Sequence, residues 1–125
     1  MTRQPWTTAS TISLTQAREQ MHAHRVRHLP VVDDGKLVGL LSERDLSTFE
    51  AHGGWQIFRV RDAMSDPVYS VKATAALSDV ARVMSEQKFG SAVVLSNAGV
   101  VEGIFTATDA CRALAEILER EVDDR

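Results

Sequence analysis

The chain has 125 residues, 44% hydrophobic and 25% charged, which is typical of one folded domain or of two small units that share a core. Its formal net charge of −3 argues against a nucleic-acid-binding protein that relies on phosphate contacts. No stretch approaches the roughly 20 apolar residues that span a bilayer. The N-terminus has no apolar signal core and the single cysteine excludes an internal disulfide, so the sequence predicts a cytoplasmic protein without a membrane span.

The first half of the chain predicts elements in the order β-α-β-β-α. Ser13 followed by Gln16 is a capping pattern, and the residues behind it have apolar side chains at helical spacing. Two apolar runs flank an Asp-Asp-Gly turn, which is typical of a β-hairpin. The predicted elements are an extended segment at 6–8, a helix from Ser13, strands at 29–32 and 37–41, and a helix from Ser42.

The second half repeats the first. A shift of 63 residues places Met1 on Met64, and after the hairpin turn a shift of 64 places Gly39 on Gly103. One extra residue in a turn is where a repeat absorbs an insertion. The corresponding elements are an extended segment at 68–71, a helix from Leu77, strands at 92–95 and 101–105, and a helix over roughly 107–120.

The repeat predicts an α+β fold, in which two β-α-β-β-α units are related by pseudo-two-fold symmetry. We place the first unit at residues 1–49, with a linker at 50–59, and the second unit at 60–125. A unit of about 60 residues buries little surface alone. We therefore expect the two units to pack sheet against sheet around one core.

Four fragments, taken in their order and duplication, resemble a known family. They are Arg-His-Leu-Pro-Val-Val-Asp at 27–33, Gly-Leu-Leu-Ser-Glu-Arg-Asp at 39–45, Val-Arg-Asp-Ala-Met with Pro-Val at 60–68, and Gly-Ile-Phe-Thr-Ala-Thr-Asp at 103–109. Together they resemble a pair of cystathionine-β-synthase (CBS) domains, the tandem called a Bateman module. The resemblance covers nearly the whole chain.

This resemblance implies a ligand site around the repeated Gly-x-x-Ser/Thr-x-x-Asp motif. Asp45 and Asp109 would accept hydrogen bonds from ribose hydroxyls, since an ionised carboxylate only accepts. Ser42 and Thr106 would donate to ribose or phosphate oxygens at the N-termini of helices, where anions are favoured. The same pairs also fit an ordinary helix N-cap with an acidic residue three positions later, and the two roles can coexist.

A basic pair is implied to contact the phosphates of the ligand. It is Arg27-His28 in this chain, and arginine can bind phosphate through two donors at once. The second repeat has Gly90 and Ser91 at these positions, so one side lacks positive charge. We expect two unequal sites.

The segments around Thr7 and Ser70 align, under the same resemblance, with the strand that lines the adenine pocket. Trp6 and Tyr69, which lie beside them, have rings that can stack on a base. Packing within the strand is the favoured interpretation of both rings.

The resemblance implies a regulatory, energy-sensing module that binds an adenine nucleotide of the AMP, ADP or ATP class and passes the change to an effector protein, which the sequence does not identify. It also implies a homodimer. We predict no enzyme, no obligatory cofactor and no metal, because the sequence contains no phosphate-binding glycine loop or serine elbow, and because His22 and His24 would face different sides of a helix. The alternative is a structural dimerisation or protein-interaction module with degenerate pockets.

Overall fold

The structure, a computed structural model, describes residues 1–123. The first repeat contains β1 (Thr2–Arg3), α1 (Leu14–His24), β2 (His28–Asp33), β3 (Lys36–Ser42) and α2 (Glu43–Glu50). A 3-10 turn (Trp55–Ile57) and the short helix α3 (Val60–Ala63) follow. The second repeat contains β4 (Ser70–Lys72), α4 (Leu77–Gln87), β5 (Ser91–Leu95), β6 (Val101–Thr106) and α5 (Ala107–Asp123). The predicted α+β repeat is confirmed.

The first helix of each repeat begins and ends in a similar way. Ser13 caps α1, its side-chain oxygen accepting from the backbone N–H of Gln16 at 3.1 Å, as the sequence predicted. Both helices have 11 residues and end on a residue in the left-handed region, Arg25 after α1 and Lys88 after α4. The start of α4 differs, because its N-cap, Ala76, has no side-chain acceptor.

Each repeat contributes one antiparallel hairpin. β2 pairs with β3 from His28 opposite Ser42, and β5 pairs with β6 from Ser91 opposite Thr106. Gly35 and Gly99 in the connecting turns have φ of 78° and 83°, values that glycine adopts without strain. Both predicted hairpins are confirmed.

The N-terminal strand crosses from the first repeat to the second. β1 pairs with β6, and the four-stranded sheet has the order β1-β6-β5-β4, while β2 and β3 form a separate pair. The extended segment predicted at 6–8 is reduced to one parallel bridge between Thr8 and Val31. The backbone N–H of Thr8 donates to Pro30 (3.0 Å) and its carbonyl accepts from Val32 (2.8 Å), so only this residue contacts the hairpin as a strand does.

Many of the buried side chains form two hydrophobic clusters, one centred on each repeat. Val93 and Ile104 are also buried but belong to neither cluster, and strand alternation places them on the face opposite Ala92 and Phe105. The single core between two sheets stays a prediction. The larger cluster includes Leu14, Leu41, Leu46 and Val60. The smaller cluster contains Val80, Met84, Ala92 and Phe105. Within residues 1–123, no helix is long and apolar enough to cross a membrane.

Candidate functional site

The two Ser/Thr-x-x-Asp motifs adopt the same geometry. At the start of α2, Ser42 Oγ accepts from the N–H of Asp45 (3.1 Å), and Asp45 Oδ2 accepts from the N–H of Ser42 (3.0 Å). At the start of α5 the corresponding distances for Thr106 and Asp109 are 3.2 and 2.9 Å. The capping interpretation is therefore correct. In each motif the backbone N–H of the N-cap residue donates to only one carboxylate oxygen of the aspartate, Oδ2.

His28 lies beside the first of these motifs. It is opposite Ser42 in the β2–β3 register and close enough to Asp45 for the two charges to interact. Burial lowers the pKa of His28 below its usual value; the Asp45 carboxylate opposes this effect, and the Arg27 guanidinium adds to it. The Arg27 side chain is 85% exposed, and its Nε lies 3.6 Å from a carboxylate oxygen of Glu43.

A cleft of about 400 Å³ separates the two repeats at this point. One wall is basic and comes from the end of α1 and the start of β2; the other carries hydroxyl groups at the N-terminus of α5. We call it the inter-repeat cleft, and its polar lining and aromatic edge include Arg25, Arg27, His28, Thr106, Thr108 and Trp6. The positive wall and the helix N-terminus both favour a negatively charged ligand.

The predicted site residues are only partly brought together. Arg27, His28 and Thr106 line the inter-repeat cleft. Ser42 and Asp45 lie next to His28 but do not line this cleft. The other three predicted residues lie elsewhere: Asp109 lines a cavity of about 450 Å³ between α4 and α5, Ser70 lines one of about 500 Å³ near the hairpin turns, and Thr7 is exposed on the connection from β1 to α1.

The second repeat keeps the backbone of the basic wall without its charges. The carbonyl of Gly90 accepts from the N–H of Ala107 at 2.9 Å, as the carbonyl of Arg27 accepts from Glu43 at 2.8 Å. Ser91 is opposite Thr106, as His28 is opposite Ser42. The repeats therefore share the same main-chain geometry at this wall, where Gly90 and Ser91 replace the charged Arg27 and the titratable His28.

Seven residues of the cleft were not predicted as ligand contacts, and three of them, Arg25, Thr108 and Trp6, bear on ligand binding. Arg25 lies at the left-handed C-cap of α1 and Thr108 in the first turn of α5. The indole ring of Trp6 stacks on His24, with ring centroids 3.6 Å apart and planes 7° from parallel. Its packing partner is thus a helix residue and not a strand, and Trp6 remains 56% exposed. Arg25 could have been predicted from the sequence as a further phosphate contact, because it lies only two residues before Arg27.

Comparison with known proteins shows which family the two repeats match. The family model for the CBS domain matches residues 1–52 and 60–116. Hypoxic response protein 1 from Mycobacterium tuberculosis is 31% identical over 107 residues, which are 83% of this chain and 74% of that protein. The first curated relatives are longer, since the chain spans only 20–22% of their length.

Two solved structures with bound adenosine compounds have the same fold. The CBS domain pair of protein MJ0100, in complex with 5′-methylthioadenosine and S-adenosyl-L-methionine, has a TM-score of 0.81 and 28% identity, covering 93% of this chain and 92% of that one. CBSX2 from Arabidopsis thaliana, in complex with AMP, has a TM-score of 0.78 and 28% identity, covering 94% and 93%.

Proposed function

Since this chain belongs to the CBS domain family, we propose that it is a regulatory module that binds an adenine nucleotide in the inter-repeat cleft and transmits the change to an effector protein. The observation that carries this proposal is the arrangement of Arg25, Arg27 and His28 on one wall, facing the N-terminus of α5 across the cleft. Phosphate oxygens between these walls would receive charge-assisted hydrogen bonds from the first repeat and backbone or hydroxyl donors from the second.

The bound compounds of two relatives support an adenosine-containing ligand. AMP is bound to CBSX2, and 5′-methylthioadenosine and S-adenosyl-L-methionine are bound to MJ0100. The basic wall of this chain favours the member of that class that carries phosphate. Because the ligand would touch both repeats, its binding would shift the population of their arrangements, which is what an effector protein would recognise.

The roles of individual residues belong to this proposal. Arg27 and His28 contact phosphate, and Thr106 donates to it. Asp109 lines the neighbouring cavity between α4 and α5, but its capping bonds hold it beside Thr106, and we assign its carboxylate to the ribose. Asp45 and Ser42 form the corresponding pair of the second, less complete site. Thr7 and Ser70 do not line the inter-repeat cleft, so we assign them no contact with a ligand bound there.

Calorimetric titration with AMP, ADP and ATP tests the proposal. We expect Arg27→Ala to weaken AMP binding about tenfold, since one charge-assisted hydrogen bond contributes about 1.5–3 kcal/mol and this side chain is largely exposed. The matched control is Arg82→Ala, which removes an exposed positive charge from α4. 5′-Methylthioadenosine, which has no phosphate, should bind both variants equally.

Two results would contradict the proposal. The absence of heat with all three nucleotides would exclude the ligand class, and equal AMP affinities of Arg27→Ala and Arg82→Ala would exclude the basic wall as the phosphate contact. Asp109→Asn and Asp45→Asn then distinguish the sites, because only the aspartate that accepts from ribose should alter the affinity.

A second candidate function is a dimerisation module. It is favoured by the apolar residues of α5 that remain about half exposed, Leu114, Ile117 and Leu118. If the protein is a dimer by sedimentation, if Ile117→Ser makes it monomeric, and if no nucleotide raises its melting temperature, this function replaces the first.

A further inference from the structure

The basic wall of the inter-repeat cleft also borders a second cavity. This cavity has a volume of about 330 Å³ and lies between the C-terminal half of α1 and the first residue of α2. We call it the outer pocket, and its lining includes Arg18, Met21, His22, Arg25, Arg27 and Glu43. Arg25 and Arg27 line both cavities, so the same short segment of chain lies between the cleft and the outer pocket.

Positive charge dominates the outer pocket. Three of its lining side chains are arginines, and only Glu43 is acidic. Two of the arginines share this carboxylate at long range: Arg27 Nε lies 3.6 Å from Glu43 Oε2, and Arg18 Nη1 lies 3.8 Å from Glu43 Oε1. Arg25 forms no ion pair within residues 1–123. Because one carboxylate does not neutralise this lining, the pocket favours a second anion.

Arg18 is held in position for such an anion. Its side chain is only 17% exposed, and two of its nitrogens contact one oxygen of Glu50 on α2, Nε at 2.7 Å and Nη2 at 2.6 Å. These contacts fix the plane of the guanidinium group. Nη1 lies 3.8 Å from Glu43, which is too long for a hydrogen bond. A donor that is already fixed loses little conformational freedom when it binds an acceptor.

The second repeat forms the same elements without these charges. By the shifts of 63 and 64 residues, Ala81 stands in the place of Arg18, and Ala107 stands in the place of Glu43. α4 nevertheless has 11 residues, as α1 does, and is followed by a residue in the same left-handed conformation. The charged set is therefore not a requirement of the repeat fold. It belongs to the repeat that also provides the basic wall of the cleft.

The shared wall makes the two cavities successive positions for a chain of phosphates. A phosphate between Arg27 and the N-terminus of α5 would be the inner end of such a chain. A second phosphate would continue past the Arg27 guanidinium, which is 85% exposed and borders both cavities. It would bring further negative charge and acceptor oxygens to Arg18 Nη1 and to the Arg25 guanidinium. A monophosphate would use only the cleft side of the wall.

We propose that the outer pocket binds the terminal phosphate of a nucleotide with at least two phosphates, while the nucleoside and the first phosphate occupy the inter-repeat cleft. This inference rests on the proposed function and narrows its ligand class to nucleoside di- and triphosphates. Arg18 and Arg25 donate to the terminal phosphate, and Arg27 lies between the two phosphates. Glu43, whose side chain is 47% exposed, turns towards solvent when the phosphate enters.

Calorimetric titrations of the full chain with AMP and ADP, in the absence of divalent cations, test this inference. We expect ADP to bind at least tenfold more tightly than AMP, because its second phosphate adds charge-assisted hydrogen bonds. Arg18→Gln should reduce this ratio of affinities to about two. The matched control, Arg82→Gln, removes an exposed arginine from α4 and should keep the wild-type ratio.

A second variant keeps the inference testable if Arg18→Gln does not fold. Glu43→Gln removes the carboxylate with which the terminal phosphate competes, so the ratio of ADP to AMP affinity should rise about threefold. The control, Glu86→Gln, removes an exposed carboxylate from α4 and should not change the ratio. A ratio that stays the same or falls in Glu43→Gln would contradict the proposed position of the terminal phosphate.

Failure of this inference is distinguishable from failure of the proposed function. If AMP and ADP bind the wild type with equal affinity, or if Arg18→Gln keeps the wild-type ratio, the inference is wrong and the proposed function stands. If neither nucleotide gives heat, both are wrong. Pyrophosphate titrated into the AMP-saturated protein identifies another source of phosphate. Binding of pyrophosphate, with no advantage of ADP over AMP, would overturn the inference and assign the outer pocket to a free anion.

Discussion

At the scale of single residues, His28 is the most informative side chain. The hairpin register holds it opposite Ser42, between a neighbouring arginine and the Asp45 carboxylate. Desolvation is the largest influence on its pKa and favours the neutral imidazole, so its charge depends on what fills the cleft. A bound phosphate would favour the protonated form.

The lowered pKa of His28 predicts a pH-dependent stability. Between its folded pKa and 6.5, the unfolded state binds more protons than the folded state, so the free energy of unfolding falls as pH decreases through this window. His28→Gln should therefore lose less stability than wild type between pH 7.5 and 5.5, measured by urea denaturation. The control His52→Gln removes an exposed imidazole from the linker. Identical pH dependence in both variants would show that the burial of His28 has no such effect.

At the scale of elements, the capping boxes connect folding with binding. Ser42 and Thr106 start α2 and α5, and each uses one oxygen of the following aspartate to complete the box. The bonds that order the first turn of each helix also orient its free N–H groups. A ligand at the start of α5 would meet donors that are already in place.

The N-cap of α2 contributes measurably to the free energy of unfolding. Ser42→Ala removes the acceptor for the N–H of Asp45 and should lower the free energy of unfolding by about 1 kcal/mol. The control is Thr48→Ala within the same helix, whose hydroxyl donates to the carbonyl of Arg44 on an exposed face. Its effect should stay within about 0.5 kcal/mol. Chemical denaturation measures both, and equal losses would argue against a special role of the cap.

At the scale of the whole molecule, the N-terminal strand is one of the backbone connections between the two repeats, and the pairing of Leu40 with Ser65 is another. β1 precedes the first repeat in the chain but pairs with β6 of the second. Gln4 extends this pairing, because its N–H donates to the carbonyl of Glu102 at 2.8 Å with φ at 48°. We infer that this strand makes the two repeats unfold together.

Gln4→Pro tests the crossing strand. Proline lacks the N–H and cannot adopt a positive φ, so β1 should detach and amide hydrogen exchange of Ile104 should accelerate, while exchange in α1 changes less. Gln4→Gly keeps the N–H and favours the left-handed region, so it should preserve wild-type exchange. Equal exchange in the two variants would mean that Gln4 does not hold the strand.

The repeat, both hairpins and the start of α1 were predictable from the sequence, because they depend on spacing and capping within a few residues. The basic pair Arg27-His28 and the helix start at Thr106 were predicted for the same reason. Their meeting in one cleft was implied by family resemblance and not by local pattern, since 78 residues separate His28 from Thr106.

Tertiary packing alone determined the features that the sequence did not predict. The separation into two clusters, the pairing of β1 with β6 and the exposure of Leu77 depend on contacts between residues far apart in the chain, and side-chain periodicity carries no record of such contacts. Leu14 and Leu77 occupy the same place in a shared pattern. The segment from Trp55 to Ala63 packs beside Leu14, whose N–H donates to the carbonyl of Phe58, and Leu14 is a core residue, whereas Leu77 is 52% exposed.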